Sequence, residues 1–340
     1  MVVICPGRGS YVKETLGYLK KYHESSSDFI FQMDQERQKL SEITISELDQ
    51  ASSFNPKLHL LGENAASLIY TCAYSDYLKL DLDKYQVEAV IGNSMGWYIA
   101  LAVAGVLNEK DAFHLVNTMG GMMKEGPIGA QVIYSVVDND WKYSPQKEEN
   151  LNIAVQTVLK NPENELYPSI HLGGYRLLAG NDSGVRELLA VLPKVDIYPF
   201  KLMGHGAFHT PLMQDISLKG KSLIGIEGFK SPSVSLIDGC GHIWRPHSTK
   251  LNELREYTLG PQVVAPYDFT LSLKVALKEF APTKLILLGP GSTLGGSIGQ
   301  ILIELNWKEI NSKSVFGQIQ KQDPFLLAMG LDEQRKILLG

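Results

Sequence analysis

The sequence has little cysteine, with three residues in 340. Cys5, Cys72 and Cys240 are odd in number and widely spaced, which fits neither a disulfide framework nor a Cys-x-x-Cys metal pair. His242 lies close to Cys240, but no further ligand residues accompany the two, so we expect no metal site. We interpret all three cysteines as buried thiols.

Excess positive charge and long hydrophobic runs are also missing. Lys and Arg number 32 against 37 Asp and Glu, which gives a formal net charge of −5. This balance provides no basic surface for nucleic acid or for an anionic membrane. The first ten residues, MVVICPGRGS, hold too short an apolar run for a signal peptide or a spanning helix. We therefore expect a cytoplasmic monomer that binds neither nucleic acid nor membrane.

The first third of the chain has the pattern of an α/β fold. Residues 2–5 form a short β-branched run before a glycine-rich turn, and residues 87–91 predict a second buried strand. Helices are predicted over 60–80 and 96–107, and a single apolar stripe along 110–124 predicts a third. Strands that alternate with helices in this way indicate a parallel sheet.

The middle of the chain predicts a different unit. A strand, QVIYSVVD, is followed by Ser144 and Pro145, which are typical of the start of a helix. Two further strands flank Gly173 and Gly174, a two-residue hairpin signal, and a second helix and the strand VDIYPF complete the set. The order βαββαβ over 131–200 is that of a ferredoxin-like unit.

These patterns together predict an α/β fold with two subdomains. A large, hydrolase-like subdomain with a parallel sheet is expected to comprise residues 1–128 and 201–340, and to end in a mostly helical tail. A ferredoxin-like small subdomain, residues 129–200, is expected to be inserted between the two parts. A chain of this length can bury the core that such an arrangement needs.

The stretch VIGNSMGWY places a G-x-S-x-G pattern at a predicted strand-to-helix junction. In such a nucleophile elbow the sharp turn strains the serine backbone and exposes its hydroxyl above the sheet. Ser94 is therefore a candidate nucleophile, although the same pattern also occurs in turns without chemistry. A serine hydroxyl needs a histidine base within reach. His205 and His209, in the loop GHGAFHTPLM, are the candidates.

Several stretches occur in the order and spacing of one known family. They are GNSMGWY, AVAGVLNEKDAFHLVNTMGGMM, AFHTPLM and LLGPGSTL, with PGRGS near the amino terminus. Over roughly residues 2–300 the chain resembles the malonyl-CoA:acyl-carrier-protein transacylases and polyketide-synthase acyltransferase domains. These proteins have PGQGS at the position where this chain has PGRGS. The resemblance implies that Ser94 accepts the acyl group, that His209 is the base, and that His205 lies at a variable position. It also implies an oxyanion hole formed by the main-chain N–H groups of Arg8 and Met95.

The resemblance further implies a partner for the histidine and partners for the protein. A backbone carbonyl orients the base in this family, and we expect that carbonyl within residues 237–239. Acyl-CoA is the implied donor, and the phosphopantetheine thiol of an acyl carrier protein is the implied acceptor. No bound cofactor is expected, and the pathway would be polyketide or fatty-acid-type biosynthesis.

The chain departs from the family at the position that holds the substrate carboxylate. Malonyl-specific members have an arginine in the helix after the elbow, where this chain has Met119. No arginine occurs between Arg37 and Arg176, and Lys124 is the nearby cation. A thioether cannot hold a carboxylate in a dry pocket, so we predict an uncharged acyl group, either acetyl or a longer one. Alternatively, Met119 only completes the apolar stripe, and the register differs by one turn.

Other departures affect the same region. Arg8 and Glu63 stand where the family has paired glutamines, and we predict that they form an ion pair, because each charge alone would be costly in a cleft. Asn93 replaces a histidine, and Trp97 replaces a glutamate. The predicted substrate pocket is lined by Met119, Glu63, Asn93, Trp97 and Phe208.

Three functions remain open from the sequence. The first is transfer of an acyl group to a carrier protein, which would follow ping-pong kinetics. The second is an editing thioesterase that uses the same Ser-His dyad to hydrolyse acyl groups from carrier proteins. The third is a scaffold without activity, which has no physical need for Ser94 and His209.

Overall fold

The computed structural model describes residues 1–24, 27–124, 126 and 128–340. The strands are β1 (Val2–Cys5), β2 (Ala89–Gly92), β3 (Ala130–Ser135), β4 (Leu166–Leu172), β5 (Tyr175–Gly180), β6 (Phe200–Lys201), β7 (Ser235–Ile237), β8 (Ile243–Trp244), β9 (Tyr267–Asp268), β10 (Leu285–Leu287) and β11 (Leu326–Ala328). The helices are α1 (Tyr18–His23), α2 (Ser27–Lys39), α3 (Ile45–Asp49), α4 (Pro56–His59), α5 (Gly62–Tyr77), α6 (Gly96–Val103), α7 (Glu109–Gly121), α8 (Pro145–Val158), α9 (Asp182–Val191), α10 (Gln214–Leu223), α11 (Leu251–Leu259), α12 (Pro261–Val264), α13 (Phe269–Phe280), α14 (Gly295–Glu304), α15 (Lys313–Gln322) and α16 (Asp332–Leu339).

The first sheet has six strands in the order β11-β10-β1-β2-β7-β8. Its neighbours pair in parallel except at the β7–β8 edge, which is antiparallel. All four residues of β1 and of β2 are buried, as expected of parallel strands covered on both faces. The parallel sheet is thus confirmed. The tail is not only helical, since β11 forms one edge of this sheet.

The second sheet has the order β6-β3-β5-β4-β9. Its first four strands are antiparallel and have the strand order of a ferredoxin-like unit, with α8 and α9 packed against apolar side chains of β3. The predicted fold class is confirmed. The strand predicted over VDIYPF is shorter than expected, because only β6 at its end joins the sheet. The boundaries at 128/129 and 200/201 stay a prediction.

The cysteines differ in exposure. Cys5 and Cys72 are buried, as predicted, whereas Cys240 is exposed. Cys240 lies in the tight turn between β7 and β8, where Asp238 accepts hydrogen bonds from the main-chain N–H groups of Cys240 and His242. The prediction of a buried thiol is therefore wrong for Cys240. In the described part of the chain, every helix is too short or too polar to cross a bilayer.

Candidate active site

Ser94 lies in the turn between β2 and α6, with φ of +55°. The backbone is closely packed on both sides of it. A Cβ on Gly92 would overlap the main chain of Gly96, and a Cβ on Gly96 would overlap the carbonyl of Cys5. The Tyr267 hydroxyl also donates to the Gly92 carbonyl at 2.6 Å. Glycine at both positions lets the turn press against β1, which holds Ser94 in the left-handed conformation of a nucleophile elbow.

His209 is in contact with the Ser94 hydroxyl. Its Nε2 lies 2.7 Å from Ser94 Oγ, and its Nδ1 lies 2.7 Å from the main-chain oxygen of Gln262. Because a carbonyl can only accept, Nδ1 carries the proton of the neutral imidazole, and Nε2 accepts the hydrogen bond from Ser94. This is the arrangement that a serine needs to lose its proton on attack.

The environment keeps His209 neutral. Its side chain is only 3% exposed, and burial lowers the pKa of His209 to about 4. The hydrogen bond to the Gln262 carbonyl acts in the opposite direction, because it favours the protonated ring. At neutral pH the imidazole can therefore accept a proton.

Gln262 contacts both members of the pair, and the sequence motifs give no sign of it. Its carbonyl orients His209, while its side-chain Nε2 donates to the Ser94 carbonyl at 3.1 Å and its Oε1 accepts from Tyr98 at 2.8 Å. The prediction that residues 237–239 supply the orienting carbonyl is wrong. Every residue has a carbonyl, so a main-chain contact of this kind leaves no side-chain signal in the sequence.

Two main-chain N–H groups at the site have no acceptor. In the described part of the chain, neither Arg8 N–H nor Met95 N–H donates a hydrogen bond to the protein. Both residues line the same cavity as Ser94 and His209. Unpaired donors beside a nucleophile are what an oxyanion hole requires.

A small apolar cavity of about 70 Å³ begins at Ser94. Met119 and Phe208 line it, as predicted, together with Ala66, Val116 and Ile216. Among the described lining residues, Arg8 is the one charged side chain.

Three predicted pocket residues lie elsewhere. Trp97 is fully buried in the core, where its Nε1 donates to Thr258 and its ring packs edge-to-face on Tyr257. Its neighbours Tyr257 and Thr258 belong to α11, and none of the three residues lines the small cavity. Glu63 does not line the small cavity, and Asn93 lines a second cavity on the other side of Ser94.

The predicted ion pair between Arg8 and Glu63 is wrong. The Arg8 guanidinium donates to the carbonyls of Leu60 and Gly204 at 2.9 and 2.7 Å and lies 5.2 Å from the centre of the Phe208 ring. Glu63 instead lies 3.7 Å from the ammonium of Lys124. Main-chain carbonyls bind the Arg8 guanidinium, and Lys124 pairs with the Glu63 carboxylate. The sequence motifs indicate neither contact.

The second cavity is larger, about 400 Å³, and we call it the large cavity. Apolar side chains of the second sheet form one wall. Arg8, Ser94 and Phe208 line both cavities, so the two spaces adjoin at these residues. His205 also lines the large cavity, where its Nδ1 lies 2.7 Å from Gln131 Oε1. Burial and the nearby Arg8 charge hold the pKa of His205 well below its usual value.

Solved structures with this fold include transacylases. The chain superposes on a malonyl-CoA:acyl carrier protein transacylase from Xanthomonas oryzae with a TM-score of 0.75 and 19% identity, covering 99% of this chain and 96% of that one. It also superposes on a type II polyketide-synthase malonyl-transacylase solved in complex with its acyl-carrier protein, with a TM-score of 0.74 and 18% identity, covering 99% and 98%. These similarities establish the fold.

Sequence relatives agree with the fold. No protein-family model matches the chain. It is 25% identical over 231 residues to a phenolphthiocerol/phthiocerol polyketide synthase from Mycobacterium tuberculosis, covering 67% of this chain but only 14% of that protein. It is 26% identical over 246 residues to the malonyl CoA-acyl carrier protein transacylase of Bacillus subtilis, covering 71% and 73%. The chain is therefore similar in sequence to a malonyl CoA-acyl carrier protein transacylase and to part of a polyketide synthase, and similar in fold to solved transacylases.

The chain departs from the resemblance to these transacylases at position 119 of the small cavity. Met119, on α7, contributes a thioether to the wall where the family resemblance places an arginine. Lys124, the nearby cation, forms ion pairs with Glu42 and Glu63 and does not line the cavity. Position 119 therefore offers no positive charge to a substrate carboxylate.

Proposed function

We propose that this chain is an acyltransferase. It moves an acyl group from an acyl-CoA thioester through an acyl-Ser94 intermediate to the phosphopantetheine thiol of an acyl carrier protein, in polyketide or fatty-acid-type biosynthesis. The observation that carries the proposal is the 2.7 Å contact between Ser94 and a neutral, oriented His209. The name of the Bacillus subtilis relative and the carrier-protein complex of the polyketide-synthase transacylase support it.

The residues at the site account for both half-reactions. Ser94 Oγ attacks the thioester carbon while His209 Nε2 takes the hydroxyl proton, and the main-chain N–H groups of Arg8 and Met95 stabilise the oxyanion. Collapse of this intermediate breaks the C–S bond, and the departing thiolate takes the proton from His209. In the second half, His209 removes the proton of the carrier thiol. The sulfur then attacks the ester, and Ser94 regains its proton as it leaves.

The small cavity favours a short, uncharged acyl group. A cavity of about 150 Å³ holds a benzene ring, so the space of about 70 Å³ beside Ser94 suits an acetyl or propionyl group. At Met119 an ionised carboxylate would meet an apolar wall, and Arg8 is the one cation among the described lining residues that could pair with it. Of the acetyl and longer groups that the sequence left open, this size favours the short ones.

Intact-mass spectrometry with acetyl-CoA tests the proposed function. We expect an acetyl adduct on the wild-type protein and none on Ser94→Ala, because loss of the hydroxyl leaves His209 without a nucleophile to activate. Ser222→Ala, which removes an exposed serine of α10 that lines neither cavity, is the matched control and should still be acylated. An adduct of equal yield on Ser94→Ala would contradict the assignment.

A second step distinguishes transfer from hydrolysis. Acetylated protein is mixed with a phosphopantetheinylated carrier protein or with buffer alone, and loss of the adduct is followed over time. Transfer predicts that the carrier accelerates the loss and becomes acetylated itself. Equal rates in both samples, with release of free acetate, would instead indicate the editing thioesterase.

A further inference from the structure

Among the residues that the structure describes, the charge of Arg8 has no partner of opposite sign. The buried Arg37 and Arg335 each have a carboxylate nearby, Glu42 at 3.4 Å and Asp76 at 2.7 Å. Among the described residues, no carboxylate lies within 4 Å of the Arg8 guanidinium, and its Nε is buried without an acceptor. Burial lowers the pKa of Arg8 to about 10, so the group stays charged at neutral pH.

Asn93 has unpaired polar atoms in the same place. It precedes Ser94 and is 7% exposed, and its Oδ1 is buried without a hydrogen-bond partner. In the part of the chain that the structure describes, its Nδ2 donates to no protein group either. Arg8, Asn93 and Ser94 all line the large cavity.

Unpaired polar groups of this kind are rare and costly inside proteins. Two such groups beside one nucleophile indicate a ligand whose polar atoms form the missing hydrogen bonds. A guanidinium donates to a carbonyl oxygen, and a side-chain amide can both accept from an N–H group and donate to a carbonyl. An amide group of the ligand satisfies both residues at once.

We propose that Arg8 and Asn93 bind the first amide of the phosphopantetheine arm, in its cysteamine unit. The inference rests on the proposed function, which supplies the thioester. Arg8 donates to the amide oxygen, and Asn93 pairs with the amide N–H. The two residues thereby select pantetheine thioesters over other thioesters, and they also place the reacting carbonyl at Ser94.

The lining of the large cavity agrees with this assignment. Two methylenes separate the thioester sulfur from the first amide nitrogen of the arm. Beyond this point the large cavity has apolar walls at Ile133 and Leu172 and hydroxyl groups at Thr293 and Ser297. Such a mixed lining suits an arm that alternates methylenes with amides.

Two acetyl thioesters of equal length test the proposal. One is S-acetyl-N-acetylcysteamine, and the other is S-acetylpentanethiol, which has no amide. The readout is the ratio of their kcat/KM values for acylation of Ser94. We expect the wild-type protein to prefer the amide thioester by about 30-fold or more, as two hydrogen bonds to buried polar groups require.

The variants should change this ratio in a defined way. Arg8→Met keeps the length of the side chain without its charge, and we expect it to lower the ratio by about tenfold. Asn93→Ala should lower the ratio to a similar extent. Met119→Leu is the matched control, because it alters the small cavity and should leave the preference for the amide in place.

Several results would overturn the proposal. These are a wild-type ratio near one, or a ratio that neither Arg8→Met nor Asn93→Ala changes. If Arg8→Met weakens only malonyl thioesters, the arginine binds an acyl carboxylate and the proposal is wrong. Should Arg8→Met not fold, Asn93→Ala and the wild-type ratio decide. Failure of the proposed function is seen separately, as the absence of any adduct on Ser94 from both thioesters and from p-nitrophenyl acetate.

Discussion

Ser94 and His209 both have a left-handed backbone, with φ of +55° and +60°. Residues other than glycine rarely adopt this conformation, and those that do are concentrated at functional sites. The surrounding main chain holds both of them. Ser94 is fixed by the close packing around Gly96, and the His209 N–H donates to the Val263 carbonyl at 3.1 Å. The distance between the two reacting atoms is therefore set by backbone contacts.

The pKa of His209 predicts the acid limit of activity. An ordinary histidine has a pKa near 6.5, and burial lowers this one to about 4. The base is neutral above that value, so kcat/KM for Ser94 acylation should be constant from about pH 5 to pH 7 and fall as Nε2 is protonated near pH 4. Stopped-flow measurement of acylation rates across this pH range gives the pH profile of kcat/KM. Circular dichroism at each pH confirms that the protein remains folded. A half-maximal rate near pH 6.5 would contradict the prediction.

Sequence reasoning about single residues succeeded where a motif fixed the position. The elbow pattern located Ser94 and the GAFHT stretch located His209, and the structure brings the two within hydrogen-bond distance. The motifs did not indicate Gln262, because this residue orients His209 through its main-chain carbonyl. Sequence reasoning also misassigned Trp97, since the motif register shows a substitution but not which face of α6 the side chain occupies.

At the scale of elements, the turn between β2 and α6 depends on glycine. Gly96→Ala would force a Cβ against the carbonyl of Cys5, and we expect a loss of about 3 kcal/mol or more in the free energy of unfolding. Gly317→Ala is the control, because Gly317 lies in α15 with nothing within 4 Å of its added Cβ, and it should stabilise by about 0.5 to 1 kcal/mol. Urea unfolding measures both. Equal stability of the two variants would refute the packing argument.

Longer elements were predictable, and the shortest ones were not. The unbroken apolar runs of β1 and β2 and the helical stripe of α7 are clear local signals, and all three elements are present. β9 has two residues and β11 has three, which is too short for any periodicity. Long-range pairing creates both of them, since β9 joins β4 and β11 joins β10.

At the scale of the whole molecule, the candidate site lies where the two sheets meet. Ser94 extends from the first sheet, while the large cavity has walls from the second sheet, including Ile133 and Leu177. The small cavity has walls from α5 and α7, at Ala66 and Val116. Element order was enough to predict each sheet. The lining of the two cavities required the structure, because it joins segments far apart in the sequence.

Measuring which acyl group Ser94 accepts in a competition experiment tests the proposed site most directly. The wild-type protein is mixed with equal amounts of acetyl-CoA and malonyl-CoA, and the two adducts on Ser94 are compared by intact mass at early times. Because position 119 holds methionine and not a cation, the malonyl group loses a charge-assisted pair of a few kcal/mol there. The acetyl adduct should therefore exceed the malonyl adduct by about a hundredfold. Met119→Arg should shift the ratio toward malonyl. A malonyl adduct that predominates on the wild-type protein would contradict the proposed preference for an uncharged acyl group.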